Sequence, residues 1–190
     1  MKYLCLTKEK YQINNFIYVP LRKEDMVSIK NWRNDQIDIL RQGILLTDQD
    51  QISYYQTIIL SSFEQKKPSL ILFSILKNNQ CIGYGGLTNV DWISKKAEIS
   101  FLIDTSYSND KIIYEECFNN FLEFIKIIVF NEIDFNRIFA ETYDIRPHHI
   151  EILEKNGFKK EGILKENVVI SNKFVDSKIH GFLKKDYVSA

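Results

Sequence analysis

His148 and His149 follow Arg146 and Pro147 directly, and proline is favoured at the first position of a helix, so both imidazoles open the helix that comes next. The positive end of the helix dipole lowers their pKa there and favours the neutral, proton-accepting form, with a capping or surface role as the ordinary alternative. Glu98 puts a carboxylate on an apolar strand, on the same face as Ser100; a solvated or salt-bridged strand carboxylate is its plainer reading. A third chemistry attaches to residues 105–112, the polar turn between that strand and the longest amphipathic stretch of the chain. The unpaired N–H groups of a helix start, reinforced by the peptide dipoles, can hold an anion, although every strand-to-helix turn shares that property.

These groups need a scaffold. Residues 97–104 are apolar almost without a break (Ile99, Phe101, Leu102, Ile103), which suits a strand covered on both faces. From residue 109 onward Ile113, Tyr114, Cys117, Phe118, Phe121, Leu122, Ile125 and Val129 recur at three and four, the mark of one helix with one buried face. Upstream, the spacing predicts a strand over 16–21 and a short helix over 22–33 with Met26, Ile29 and Trp32 on one face. A capping-box-like Thr47 and Asp50 then open a helix running to about Phe63. Strands over 69–77 and 80–90 meet at Asn78-Asn79, a dipeptide tolerant of positive φ. Gly83, Gly85 and Gly86 in the second of them mark a bulge or the close approach of another chain or ligand, and with no helix following they form no phosphate loop. Beyond the long helix come a strand over 136–144, a short helix bracketed by Pro147 and Gly157, and strands over 158–170 and 173–183 that turn at Ser171-Asn172.

In 190 residues, 25 basic and 25 acidic side chains cancel, which disfavours a nucleic-acid binder relying on counterion release. Cys5, Cys81 and Cys117 are scattered and odd in number, which fits a reducing cytoplasm and predicts neither a disulfide framework nor a metal site. No apolar run approaches a membrane span, and the first residues lack a sustained apolar core of signal-peptide length. The chain is expected to be a single domain, compact over 16–187, with residues 1–15 as an N-terminal extension.

In the order of its elements, in AEISFLID (97–104) and NRIFAETY (136–143), and above all in ILEKNGFKKEGILKE (152–166), the chain resembles the GNAT acyltransferase superfamily. The branch it resembles contains ribosomal-protein N-terminal acetyltransferases and nucleotide-amino-sugar acetyltransferases, in which WRND (32–35) is also common. The resemblance implies an α+β fold in the order β-α-α-β-β-β-α-β-α-β-β, with a mixed, mostly antiparallel sheet of about seven strands splayed in the middle and about four helices. It implies acetyl-CoA as cosubstrate in the V-shaped gap, no metal, and direct transfer of an acetyl group to an amine. A strand splayed over 101–104 leaves backbone groups with which the pantetheine arm can pair as a pseudo-strand. One N–H, near Leu102 or Ile103, would polarise the thioester carbonyl, so Phe101, Leu102 and Ile103 are cofactor-binding candidates.

The resemblance also puts the pyrophosphate at the turn before the long helix, where the family reads Arg/Gln-x-x-Gly-x-Gly/Ala. Here Ser108, Asn109, Asp110, Lys111, Ile112 and Ile113 stand in those positions without a glycine. Asn109 tolerates left-handed geometry and Lys111 supplies charge, whereas Asp110 repels a phosphate. Family members place Asn near the start of the following helix and some place a general-acid Tyr later. Aligned through Gly157 and Phe158, these positions hold Arg146, which could replace lost phosphate contacts, and Leu153, which cannot donate a proton. Glu98 is where many members carry the base; Glu141 and Tyr143, on the neighbouring strand beyond the splay, complete the catalytic candidates.

For the acceptor, Trp32, Tyr54, Tyr55 and Trp92 could stack a sugar or base while Arg33 and Arg41 fork a diphosphate, which favours a nucleotide-linked amino sugar. Trp32, Arg33, Arg41, Tyr55, Trp92 and His149 are thus the substrate-binding candidates. A protein amino terminus is the alternative, with Asp35, Asp38 and Asp91 as an acidic mouth. A third reading, drawn from the missing glycines, is a GNAT-fold module that binds without acetylating. The partner expected is a small-molecule amine rather than nucleic acid or a membrane, for a cytoplasmic protein with a homodimer as its candidate assembly. The transferase reading requires an open gap between two adjacent strands and a helix start free of its own side chains.

Overall fold

Asn78 and Asn79 take left-handed backbone (φ 52° and 63°), as do Ser171 and Asn172 (φ 50° and 61°), so both expected hairpin turns form. The computed structural model describes residues 1–188. Its strands are β1 (Tyr11–Ile13), β2 (Phe16–Pro20), β3 (Ile71–Lys77), β4 (Gln80–Asp91), β5 (Lys96–Ile103), β6 (Arg137–Tyr143), β7 (Lys159–Ile170) and β8 (Lys173–Leu183). They make one sheet in the order β1-β2-β3-β4-β5-β6-β8-β7, antiparallel except where β5 meets β6. This is the expected α+β, mostly antiparallel architecture, with β1 as a strand not foreseen and more helical segments than the four expected.

Side chains cap the starts of three of the helices, those opening at Asp48, Thr105 and Lys111. α1 (Met26–Asp35) follows a 3₁₀ turn over Lys23–Asp25. α2 (Asp48–Tyr54) opens on a complete capping box, Thr47 accepting from the Asp50 N–H and the Asp50 carboxylate accepting from the Thr47 N–H. It runs on through a π turn (Tyr55–Ile59) into α3 (Leu60–Phe63), reaching the expected end. α4 (Thr105–Ser108) is a single turn, α5 (Lys111–Ile127) is the long helix, and a second π turn covers Ile128–Glu132. α6 (Pro147–Lys155) begins at its proline and ends before Gly157 at φ 85°. α7 (Lys184–Val188) closes the described chain.

The apolar face of α5 lies on the sheet through an aromatic network: Tyr18 stacks on Phe124 at 4.0 Å, and Phe101 stacks on Phe118 at 4.7 Å. Gly85 lets the helix come this close, since a Cβ there would meet the Phe121 ring at 2.8 Å and the Ser100 carbonyl oxygen at 2.5 Å. The first fifteen residues, expected as an extension, enter this core. Tyr3 is fully buried, its hydroxyl donating to the Leu72 carbonyl at 2.9 Å and accepting from the Leu72 N–H at 2.8 Å, and Leu6 and Tyr11 are buried beside it. Among the described residues no helix is long and apolar enough to cross a membrane.

Candidate active site

β5 and β6 pair at only three positions, Lys96 with Arg137, Ala97 with Ile138 and Glu98 with Phe139. Beyond these each strand keeps its other neighbour: β4 follows β5 to Ile103, and β8 follows β6 to Tyr143. The pair therefore parts after Glu98, and the expected gap is open. The Asp104 N–H donates to the Ile82 carbonyl, so by the alternation of an antiparallel ladder Leu102 and Ser100 also turn their backbone groups toward β4. Phe101 and Ile103 turn theirs toward the gap. Leu102, expected as a possible carbonyl polariser, is corrected on this ground. The Ile103 carbonyl accepts from Gln36 Nε2 at 2.8 Å, while its N–H and that of Phe101 face the opening.

Side-chain parity splits the gap into two sides. Glu98 and Ser100 share a face with Glu141 and Tyr143, whereas Phe101 points with Ala140 and Thr142 toward α5 and α6. A cavity of about 280 Å³ is lined by residues of both sets, so it passes through the sheet.

On the first side, Arg41 is clasped by two carboxylates. Its Nη1 and Nη2 donate to Glu98 at 3.0 and 2.7 Å, and Nη2 donates also to Glu141 at 2.6 Å. Asn89 Nδ2 donates to Glu98 at 2.7 Å, and Asn167 Nδ2 to Glu141 at 2.8 Å. Glu98 is buried, Arg41 about half exposed, and the carboxylates, Glu98 foremost, hold the guanidinium firmly protonated. Tyr143 lines the same space, and burial raises its pKa against the opposing charge of Arg41. Arg33 also lines it, with Nε donating to Gln42 at 2.9 Å and Nη1 to the Tyr84 hydroxyl at 2.5 Å.

On the second side, a cavity of about 520 Å³ is bounded by Ser108, Asn109, Lys111, Tyr114, Arg146, His148 and His149, and it shares Ile39, Arg146 and His149 with the first. Three of the expected phosphate-turn residues thus face it. The other three do not act as foreseen. The Asp110 carboxylate caps α5, accepting from the N–H groups of Ile112 at 2.9 Å and Ile113 at 3.0 Å, and the Ile112 side chain lies in solvent. The helix start is therefore occupied by its own side chain, which corrects the requirement of a free one; the cations that line the cavity are instead Lys111 and Arg146. Arg146 Nη2 donates to the Tyr114 hydroxyl at 2.7 Å.

Three acceptor-site candidates lie elsewhere. Trp32 is buried in the core, and Tyr55 lines a separate cavity with Pro20, Leu21 and Arg22. Trp92 donates from Nε1 to the Pro68 carbonyl at 2.8 Å and packs edge-on against Phe135. Arg33, Arg41, Glu98, Phe101, Glu141, Tyr143, Arg146 and His149 do converge on the gap. Asn89, Tyr114 and Thr142 are additions that the sequence did not single out. Parity on strand 136–144 was the one signal for Thr142, and helical spacing masked Tyr114 as core. Among the described residues no group of three or more His, Cys, Asp or Glu is placed to hold a metal ion.

A family model described as an acetyltransferase (GNAT) domain matches residues 19–179. The spermidine N-acetyltransferase of Vibrio cholerae, solved with CoA and spermine, is similar in structure, with a TM-score of 0.79 at 18% identity over 93% of this chain and 99% of that one. A dodecameric structure of the Vibrio cholerae enzyme in an intermediate state gives 0.77 at 17% identity over 93% and 98%. No curated protein matches. The chain belongs to the GNAT acetyltransferase family, and acetyl-CoA is the acetyl donor that goes with that membership.

Proposed function

We propose that this N-acetyltransferase acetylates a small, positively charged amine, with Glu98 as the proton acceptor. The observation that carries the reading is Arg41 held between Glu98 and Glu141: the acceptor side of the gap already binds a cation between two carboxylates. The diphosphate reading loses support from the same contacts, because both arginines expected to fork a diphosphate have protein partners. The spermine held by the Vibrio cholerae relative, a polyamine, points the same way. A homodimer belongs to this proposal, and sedimentation of the purified chain tests it.

The donor side suits a thioester arm in two respects. β5 and β6 part, and Thr142 Oγ1, buried at the gap, has no hydrogen-bond partner of its own. Acetyl-CoA would supply an activated acyl carbon to this space, with Phe101, Ile103 and Thr142 along the arm and Lys111 and Arg146 at the charged tail. The N–H groups of Phe101 and Ile103 would stabilise charge developing on the acyl oxygen. Glu98, fixed by Arg41 and Asn89, would take the proton that the attacking amine loses, directly or through water. Tyr143 and Glu141 would orient the amine.

Thiol release with acetyl-CoA and spermidine, a nucleotide-linked amino sugar, or peptides separates the readings. Spermidine is the expected substrate; turnover with the amino-sugar nucleotide alone would restore the diphosphate reading, and turnover with peptides alone the protein-terminus reading. The capped helix start gives a second expectation. Asp110→Ala should lose about 1 kcal/mol of stability in urea, yet bind CoA more tightly, because two amides are freed and a negative charge removed. Weaker CoA binding in this variant would show the cap to be part of the site.

A further inference from the structure

Arg146, Tyr114 and His149 form a hydrogen-bonded chain at the waist shared by the two cavities. Arg146 Nη2 lies 2.7 Å from the Tyr114 hydroxyl, which lies 2.7 Å from His149 Nδ1. A guanidinium has only donors, so the phenol accepts from Arg146 and keeps its own proton available to Nδ1. With the phenol donating to Nδ1, the imidazole proton sits on Nε2. The ring is 7% exposed, lies nearly flat on Phe118 at 4.2 Å, and lines both cavities. Burial first, and then Arg146, His180 and His148, keep it neutral; burial also raises the pKa of Tyr114, so the phenol retains its proton against the pull of Arg146.

A neutral imidazole fixed in one tautomer is a hydrogen-bond donor with a set direction. Thioester aminolysis gathers negative charge at two atoms, the acyl oxygen during attack and the sulfur as it leaves. Backbone N–H groups face the gap for the first. For the second, Leu153, one turn along α6 from His149, is buried and apolar and offers nothing. We propose that His149 donates its Nε2–H to the sulfur of the acetyl donor, and that Tyr114, anchored by Arg146, is the positioning residue that keeps the proton on Nε2. This inference rests on the reading of the gap as the acetyl-CoA site.

In the step, the amine nitrogen bonds to the acyl carbon, the C–S bond breaks with its electron pair on sulfur, and Nε2–H hydrogen-bonds that pair without giving up its proton. The proton lost by nitrogen goes to Glu98, and sulfur takes one from solvent on release.

The test titrates the thiol of bound CoA by its thiolate absorbance, alongside ¹⁵N NMR of the histidines in the whole chain. The bound thiol should ionise about one pH unit below free CoA. That shift should vanish in His149→Phe, which keeps a ring on Phe118, and shrink in Tyr114→Phe, which removes only the hydroxyl. NMR should find His149 as the Nε2–H tautomer in the wild type and as a mixture in Tyr114→Phe, a readout available even if His149→Phe does not fold. A Nδ1–H tautomer in the wild type, or a thiol shift unchanged in either variant, overturns the proposal. CoA that fails to bind the wild type removes the donor-site reading beneath it, while the NMR result stands on its own.

Discussion

Glu98→Gln is expected to lower the turnover number for amine acetylation by about 10²–10⁴-fold near neutral pH, the range that a positioned general base contributes. The substitution keeps the shape of the side chain and one carbonyl oxygen for Arg41 or Asn89, but removes the charge that accepts the proton. Arg41 retains its bond to Glu141, and its half-exposed side chain can turn to water, so the variant should fold. Affinity for acetyl-CoA should be unchanged, since Glu98 lies on the other side of the sheet from the donor-side residues. Thiol-release kinetics reads both quantities. Full turnover in the variant would reduce Glu98 to a holder of Arg41 and shift the proton acceptor to solvent.

Phe118→Ala is expected to cost about 3–5 kcal/mol, the usual penalty for deleting a buried phenyl ring. Phe118 is fully buried, stacks on Phe101 from β5 and on His149 from α6, and forms part of the gap wall. At about 2–4 °C per kcal/mol for a chain of this size, the melting temperature should fall by about 6–20 °C. Calorimetric melting checks it. A loss below about 1 kcal/mol would mean that the wall relaxes over the hole and that the gap has no fixed shape of its own.

The frame was legible because its signals are local. The spacing of Ile113 to Val129, the Thr47–Asp50 box, the Asn78-Asn79 turn and the Pro147–Gly157 bracket all became the elements that they announce. β1 and the buried Tyr3 were not legible, since a few apolar residues spread over a polar segment acquire meaning only from the sheet they meet. The π turns are hidden for a similar reason: a change in hydrogen-bond offset barely disturbs the apolar period.

The site divides along the same line. Glu98, Glu141, Tyr143, Arg146 and His149 line one gap, because strand parity and a helix start put them at one place. Trp32, Tyr55 and Trp92 lie away from the gap, which the sequence does not reveal, since an aromatic ring beside arginines looks alike whether it stacks on a ligand or fills a core. The sequence could not show that Arg33 and Arg41 have protein partners, as these lie up to a hundred residues away. Asp110 is different: an aspartate just before a helical run is a capping signal in its own right, and it competes with the anion reading of the same turn.

Amide hydrogen exchange at β5, with and without CoA, tests most directly whether the opened strands receive the thioester arm. In the free protein the Phe101 and Ile103 amides should exchange faster than that of Leu102, whose partner is β4, and saturating CoA should protect them selectively. Equal protection of all three amides in the free protein, or no change at Phe101 and Ile103 when CoA is added, would contradict the account.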